Sequence, residues 1–386
     1  MQFMSGAMGW ADNIILAMAP LGIITAIVGA IRVGGPTWLK AVIGRARENL
    51  AVAEAELMSS TSQEVCELWN GQEIVRCMGS PSVTEFICLL PKNTSKRGPK
   101  VVVQTSQKAL KDQNDHLKQI EKSLASPCQN IIVTRNHSLD APNIYVNAHQ
   151  QTSREELRVV AAFGTILQLG VLLYSGFATY HPTLKFQKDD SPIESYAYPC
   201  TAVGTLILVF GMILCAHVVD NSTTEERYQP KPEVDMKVRM VWLQQTKIVS
   251  DQVFGSFAIY ATNDQPFITT SRRTQKVKGG RPHPATGDGK HSTSDDSNSV
   301  SATAGEAASL TLQVKTVLGT ITALTGFILQ FVGLRGLHWS ASIAQLGAVL
   351  VMLGLKAWVR RGLATPPKAI SLLPGYELDC KTWDGN

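Results

Sequence analysis

Nothing in this sequence announces a reaction. No His-Glu-x-x-His, Gly-x-Ser-x-Gly, EF-hand or Gly-x-Gly-x-x-Gly run occurs. The zinc, acyl-transfer, calcium and dinucleotide geometries that those spacings build are therefore not expected. The nearest approach to a phosphate loop, the run ending Gly289-Lys290-His291, has Pro284 where the leading glycine belongs and His291 where a magnesium-binding hydroxyl belongs. The seven cysteines (Cys66, Cys77, Cys88, Cys128, Cys200, Cys215, Cys380) include no C-x-x-C pair. That argues against a zinc ribbon or a thioredoxin-like dithiol, and most are expected to be reduced thiols. Charged residues make up only 17% of the chain, with a net +5 spread along it, so nucleic acid is not an expected partner. No metal and no cofactor is expected either.

Acidic residues are also missing from the interior of five long apolar stretches, and this absence is the most informative. A helix needs about 20 mostly apolar residues to cross a hydrocarbon core about 30 Å thick. Residues 13–31, 159–180, 200–219, 316–334 and 340–358 all meet that length. The expected fold class is an α-helical multi-pass membrane protein with five transmembrane helices and a cytosolic α+β domain built from the two long loops. The leader, residues 1–12, has no Lys or Arg, unlike the n-region of a secretory signal. Ala17-Met18-Ala19 resembles a cleavage site, but a retained anchor fits the flanking charges better.

Lys and Arg near span ends set orientation. Arg32, Lys40, Arg45, Arg47, Arg154, Arg158, Lys315, Arg360, Arg361 and Lys368 all fall on one face if the N-terminus lies outside and the C-terminus in the cytosol. The expected order is then a short extracytosolic N-terminus (1–12), a cytosolic α+β region (32–158), an outer loop (181–199), a second cytosolic β-rich segment (220–271), a disordered linker (272–310), an outer hairpin (335–339) and a cytosolic tail (359–386). Gly333 and Gly336 permit the hairpin turn in "LRGLHW", and Trp339 suits the interface. Sequons at Asn93, Asn136 and Asn221 are expected to stay in the cytosol.

Between the spans, "TWLKAVIGRARENLAVAEAELM" reads as a helix beginning after Pro36. Asn70-Gly71 in "EVCELWNGQEIVRCM" predicts a type I′ hairpin. Strands are expected at 85–90, 101–105, 130–134 and 143–147 in the first loop, and at 238–245, 252–261 and 266–271 in the second, joining into one sheet. "SQKALKDQNDHLKQIEKSL" reads as a polar helix. In the linker, Arg272, Arg273, Lys276, Lys278 and Arg281 form an acid-free basic cluster suited to anionic lipid headgroups.

Inside the spans, small residues four apart let helices approach closely: Gly22, Ala26 and Ala30; Gly319 and Ala323; Ser340, Ala344 and Ala348. Gln168, Gln330 and Gln345 are the intramembrane polar residues, suited to interhelical hydrogen bonds or a pore lining. Long stretches, among them "NIILAMAPLGIITAIVGAIRVGGPTWLKAVIGRARENLAVAEAELMSSTSQEVCELWNGQ", "AAFGTILQLGVLLYSGFATYHPTLKF", "STTEERY", "VWLQQTKIVSDQVFGSFAIYA" and "FVGLRGLHWSASIAQLGAVLVMLGLKAWVRRGL", resemble a large family of uncharacterised fungal multi-pass membrane proteins. Some members carry ankyrin repeats; no T-P-L-H motif or 33-residue period occurs here. The resemblance implies an architecture without a mechanism. The leading expectation is a non-enzymatic, membrane-anchored sensor, scaffold or signalling protein with an unknown cytosolic protein partner. The alternative is a channel or transporter, with the bundle open to homo-oligomerisation. A membrane-associated enzyme is third.

Overall fold

A computed structural model describes residues 9–18, 22–79, 83–91, 101–105, 131–136, 138–149, 154–181, 193–229, 236–249, 251–261, 267–274, 296–364 and 366–374. The chain divides into two compact units. The first comprises Met1–Ala53, Arg154–Thr223 and Arg273–Lys356; the second comprises Glu54–Ser153, Thr224–Arg272 and Ala357–Asn386.

The first unit is helical: α1 (Trp10–Met18), α2 (Ile23–Gly34), α3 (Arg154–Tyr180), α4 (Ala197–Asp220), α5 (Asp296–Gly336) and α6 (Trp339–Val359). Among the described residues, four helices are long and apolar enough to cross a membrane, namely α3, α4, the Leu310–Gly336 part of α5, and α6. Their packing points the same way. Phe163, Ile166, Phe177, Phe210, Ile328, Phe331 and Leu350 face outward, while Gly164, Ser175, Gly204, Gly211 and Gly326 are buried. So large an outward apolar surface is a liability in water. In lipid it is what helix association requires, because only small residues let backbones meet. The chain is a multi-pass membrane protein with an α+β part.

The expected first span is not one helix. α1 has nine residues and α2 twelve, rises of about 13 and 18 Å, each roughly half of a 30 Å core. Gly22 precedes α2 at φ 75°, in the left-handed region that ends helical continuity and suits glycine. Residues 19–21 between them lie outside those described. Nor is 272–310 a linker throughout. Arg272 and Arg273 end a strand, and α5 is helical from Asp296. Ala302, Ala304, Ala307 and Ala308 are strong helix formers, and extending an existing span costs no new nucleation.

In the second unit, the hairpin β1 (Val65–Trp69) and β2 (Ile74–Met78) is followed by β3 (Val83–Pro91), β4 (Val101–Thr105), β5 (Ile131–Arg135), β6 (Thr223–Tyr228), β7 (Met236–Gln244), β8 (Lys247–Val249), β9 (Gln252–Phe254), β10 (Phe257–Tyr260), β11 (Ile268–Arg273) and β12 (Lys368–Ser371). The main sheet has six strands in the order β12-β10-β7-β3-β5-β4. β3 and β7 pair antiparallel from Val83↔Gln244 to Pro91↔Met236, and β4 runs parallel to β5. Strands from the first loop, the second loop and the C-terminal tail thus share one ladder. On β7 the buried positions alternate: Val238, Met240, Trp242 and Gln244 point inward while Lys237 and Arg239 face solvent. This is the period of a half-buried antiparallel strand. Trp69, Ile144, Ala148, Ile259 and Ile268 complete that core.

Several local expectations are corrected. Residues 143–147 form a helix, Ile144–Ala148, instead of a strand. Pro142 leads into it, and the Glu67 carboxylate accepts the Tyr145 amide at 2.7 Å, satisfying a first-turn donor. The run 252–261 splits at Gly255-Ser256 into β9 and β10, and 266–271 contributes β11, which pairs with β6 outside the main sheet. The helix expected after Pro36 breaks into Thr37–Val42 and Leu50–Leu57 at Gly44, whose φ is 74°. The Asn70-Gly71 hairpin closes with four residues, 70–73, instead of two. Asn70 Oδ1 accepts the amides of Gln72 and Glu73, each at 2.8 Å, an Asx turn that the short type I′ loop does not allow. The polar helix expected at 106–124 lies outside the described residues.

Candidate functional site

Among the described residues, helix backbones approach most closely at the glycines that join α4 and α5. Gly204 and Gly211 lie seven residues apart on α4; Gly319, Gly326 and Gly333 repeat the same spacing on α5. A Cβ at Gly204 would sit 2.3 Å from the Gln330 amide nitrogen, and one at Gly211 would sit 2.3 Å from that of Ala323. At Gly326 it would meet the Leu208 nitrogen at 2.3 Å, and at Gly333 the Thr201 nitrogen at 2.4 Å. The two helices run antiparallel with backbone against backbone. The four-residue spacing read from the sequence found Gly319 and Ala323; the heptad that places them with Gly326 and Gly333 was the signal it passed over.

The other small-residue candidates divide. Ala26 and Ala30 are buried on α2, whereas Gly22 is exposed at its start. Ala348 is buried on α6, and Ser340 and Ala344 are half-buried. The amides divide as well. Gln330 Nε2 donates to Thr205 Oγ1 at 3.0 Å across the α4–α5 contact. Gln168 Nε2 donates to the Met18 carbonyl at 2.7 Å, which supplies a partner to a carbonyl left at the end of α1. Gln345 is half-buried on α6. The span hydroxyls turn back on their own helices, with Thr201 bonded to Ala197 O, Thr205 to Thr201 O and Ser175 to Val171 O. In "LRGLHW", His338 Nδ1 accepts the Ser340 amide at 3.3 Å at the start of α6, and Arg335 is exposed.

One ion pair of the first unit was not foreseen. Arg32, at the end of α2, meets Glu48 through Nε at 2.9 and 3.1 Å and through Nη2 at 2.6 Å. Both side chains are buried, 4% and 5% exposed. The hydrogen-bonded Arg32 guanidinium holds the Glu48 carboxyl below its ordinary range despite burial. The sequence reading used Arg32 only as a topology charge.

Polar groups inside the second unit are joined to one another. Gln244, fully buried, accepts the Trp69 amide at 2.7 Å and donates to Trp69 O and Gly255 O, each at 2.9 Å. Its amide acts as a strand partner that links β1 to the main sheet. Asn143 and Asn147 do the same for β11: each accepts an amide and donates to a carbonyl, at Ser271 and Thr269 respectively. Glu85 accepts from Trp242 Nε1 at 3.0 Å and from Asn136 Nδ2 at 2.7 Å. Glu67 faces Arg76 at 3.4 Å, and burial pushes its carboxyl up. Burial likewise pulls His149 down.

Of the basic cluster, Arg272 donates to Thr61 Oγ1 and Ala141 O and lies 3.8 Å from Asp140, so the fold already engages it. Arg273 is half-buried; Lys276, Lys278 and Arg281 lie outside the described residues. Among the described residues no group of three or more His, Cys, Asp or Glu is placed to hold a metal ion. Comparisons with protein-family models, curated proteins and solved structures find no match for this chain.

Proposed function

We propose that this protein is a membrane-anchored sensor or scaffold, akin to the fungal multi-pass proteins it resembles, whose interaction module is assembled from every long segment between and after its spans. One observation carries the reading: a single six-stranded ladder takes strands from both loops and from the tail. Any rearrangement of the spans reaches that sheet through five chain connections, two for each long loop and one for the tail. The polar interior of the module supports a structural and binding role, because Gln244, Asn143, Asn147 and Glu85 join elements of the fold to one another.

In this reading the membrane is crossed four times, and α1–α2 enters and leaves by the same face. Asn13 hydrogen-bonds Asp220, at the end of α4. Gly34 packs on Val218 at that same end and on Leu312 and Thr316 near the start of the α5 span. Between them, Met18 reaches Gly164 and Gln168, the latter about 21 Å of helical rise from Arg154. These contacts support a hairpin in which the Met18 end of α1 lies at mid-depth, where non-continuous helix is tolerated because protein supplies its partners. The N-terminus then shares a face with both loops and the tail, and the distribution of Lys and Arg makes that face cytosolic. An engineered N-terminal sequon is expected to stay unglycosylated in microsomes, as are Asn136 and Asn221. Sugar on the N-terminal tag alone would restore five crossings with the N-terminus outside.

A channel or transporter is the second reading, favoured by the break between α1 and α2 beside Gln168, since discontinuous helices at mid-depth mark many ion and substrate sites. Full-length protein in liposomes is expected to carry no ion or solute flux. Flux that disappears with Gln168→Leu or Gln330→Leu would replace the scaffold reading with this one.

A further inference from the structure

The strands β1 and β2 set Cys66 directly opposite Cys77. The ladder alternates between pairs that exchange hydrogen bonds and pairs that do not. Asn70 N donates to Glu73 O at one end of the hairpin, and Gly79 N donates to Glu64 O at the other. Counting inward from either end makes Cys66–Cys77 a hydrogen-bonded pair, with a Cα separation of about 5.5 Å. That is inside the window of about 4.4–6.8 Å that disulfide-linked Cα atoms occupy, and closing the bond draws the two strands together by about an ångström to bring the Cβ atoms within their roughly 3.5–4.5 Å reach. Directly opposed residues also project from the same face of the ladder, and both cysteines pack in one cluster with Leu68, Ala141 and Phe254. Both are free thiols.

We propose that Cys66 and Cys77 are a covalent modification site, a dithiol that closes to an intramolecular disulfide by exchange with a low-molecular-weight disulfide such as oxidised glutathione. Cys77 is the entry point, being 9% exposed where Cys66 is 0%. Its thiolate attacks one glutathione sulfur, the glutathione S–S bond breaks, and the departing glutathione thiolate takes up a proton. Cys66, having released its proton to solvent, then attacks the Cys77 sulfur and expels the second glutathione. Two protein thiols lose two electrons, and one oxidised glutathione becomes two reduced molecules.

Rate and state follow from the surroundings. Burial pushes both thiols up, Cys66 to about 11, with the Lys247 ammonium pulling the other way. Lys247 Nζ lies 3.9 Å from a Cβ built at Gly79, two residues beyond Cys77. Thiolate is therefore scarce at neutral pH and closure is slow, accelerating about tenfold per pH unit below the thiol pKa values. On a cytosolic face such a bond forms under oxidative load and reopens; on an oxidising face it persists. The inference depends on the hairpin alone and stands whichever face the module occupies and whatever its partner.

The test uses reduced full-length protein in detergent, incubated with oxidised glutathione at pH 7 and pH 9, alkylated and mapped by peptide mass. The expected result is a linked peptide pair containing Cys66 and Cys77, formed many-fold faster at pH 9. C66S should instead hold a stable glutathione adduct on Cys77, and C77S neither product. Wild type in which both cysteines stay alkylatable, or in which Cys77 keeps glutathione without linking to Cys66, overturns the proposal. So does linkage of either to Cys88. The wild-type map alone decides the matter if a serine variant fails to fold.

Discussion

Gly326→Leu is expected to dismantle the α4–α5 pair and with it the folded bundle. Enlarging a packed site usually costs about 1–3 kcal/mol, because neighbours shift or change rotamer. Here the neighbours are main chain: the new Cβ would lie 2.3 Å from Leu208 N and 2.6 Å from its Cα. No rotamer relieves that, so the helices must part and lose the contacts of Gly204, Gly211 and Gly333 together. The cost is expected to exceed about 3 kcal/mol, seen as a collapsed melting midpoint or as aggregated protein in detergent. The internal control is Gly347, where a Cβ meets nothing within 4 Å. Gly347→Ala is expected to leave the midpoint unchanged or raise it, since Gly in a helix costs about 0.5–1 kcal/mol relative to Ala. Equal behaviour of Gly326→Leu and Gly347→Leu would sink the claim that backbone contact holds this pair.

The second large effect belongs to Arg32 and Glu48. Glu48→Gln removes the charge partner of a guanidinium that is 4% exposed, and breaking such a buried pair costs about 3–5 kcal/mol. The pH dependence has a definite sign. The folded-state value of Glu48 lies below the ordinary 4.5, so the pair's contribution is complete above that ordinary value and is lost as pH falls through the lower one. Wild type is expected to lose stability on acidification in that window, and Glu48→Gln to lack that component. Replacing both residues together, Arg32→Met with Glu48→Leu, should recover most of the loss, because an apolar pair avoids the desolvation cost. A double variant no better than Glu48→Gln would show that Arg32 is held mainly by other groups.

Much of the module was legible because β7 alternates buried Val238, Met240 and Trp242 with exposed Lys237 and Arg239, a pattern that only a half-buried strand needs. The helix at 144–148 was not, because Ile, Tyr and Val favour strands locally. The decision lay with Glu67 and with residues 269 and 271, which are remote in sequence and satisfy the first-turn amide and the two asparagines. The cross-strand partner of Cys77 was hidden in the same way, since C-x-x-C scanning looks along the chain and Cys66 lies across the hairpin.

By itself the sequence determined the medium and the partition of the chain. Apolar runs of span length, free of acidic residues in their interiors, fix which segments reside in lipid, because transfer of apolar surface depends on composition and length and hardly on neighbours. The heptad glycines were equally present in it. Only the tertiary structure decided that residues 13–31 make two half-length helices, that β12 completes the sheet, and that Arg32 is neutralised by Glu48. Those outcomes depend on which groups meet across long separations, and backbone and charge take whatever arrangement leaves fewest polar atoms without partners.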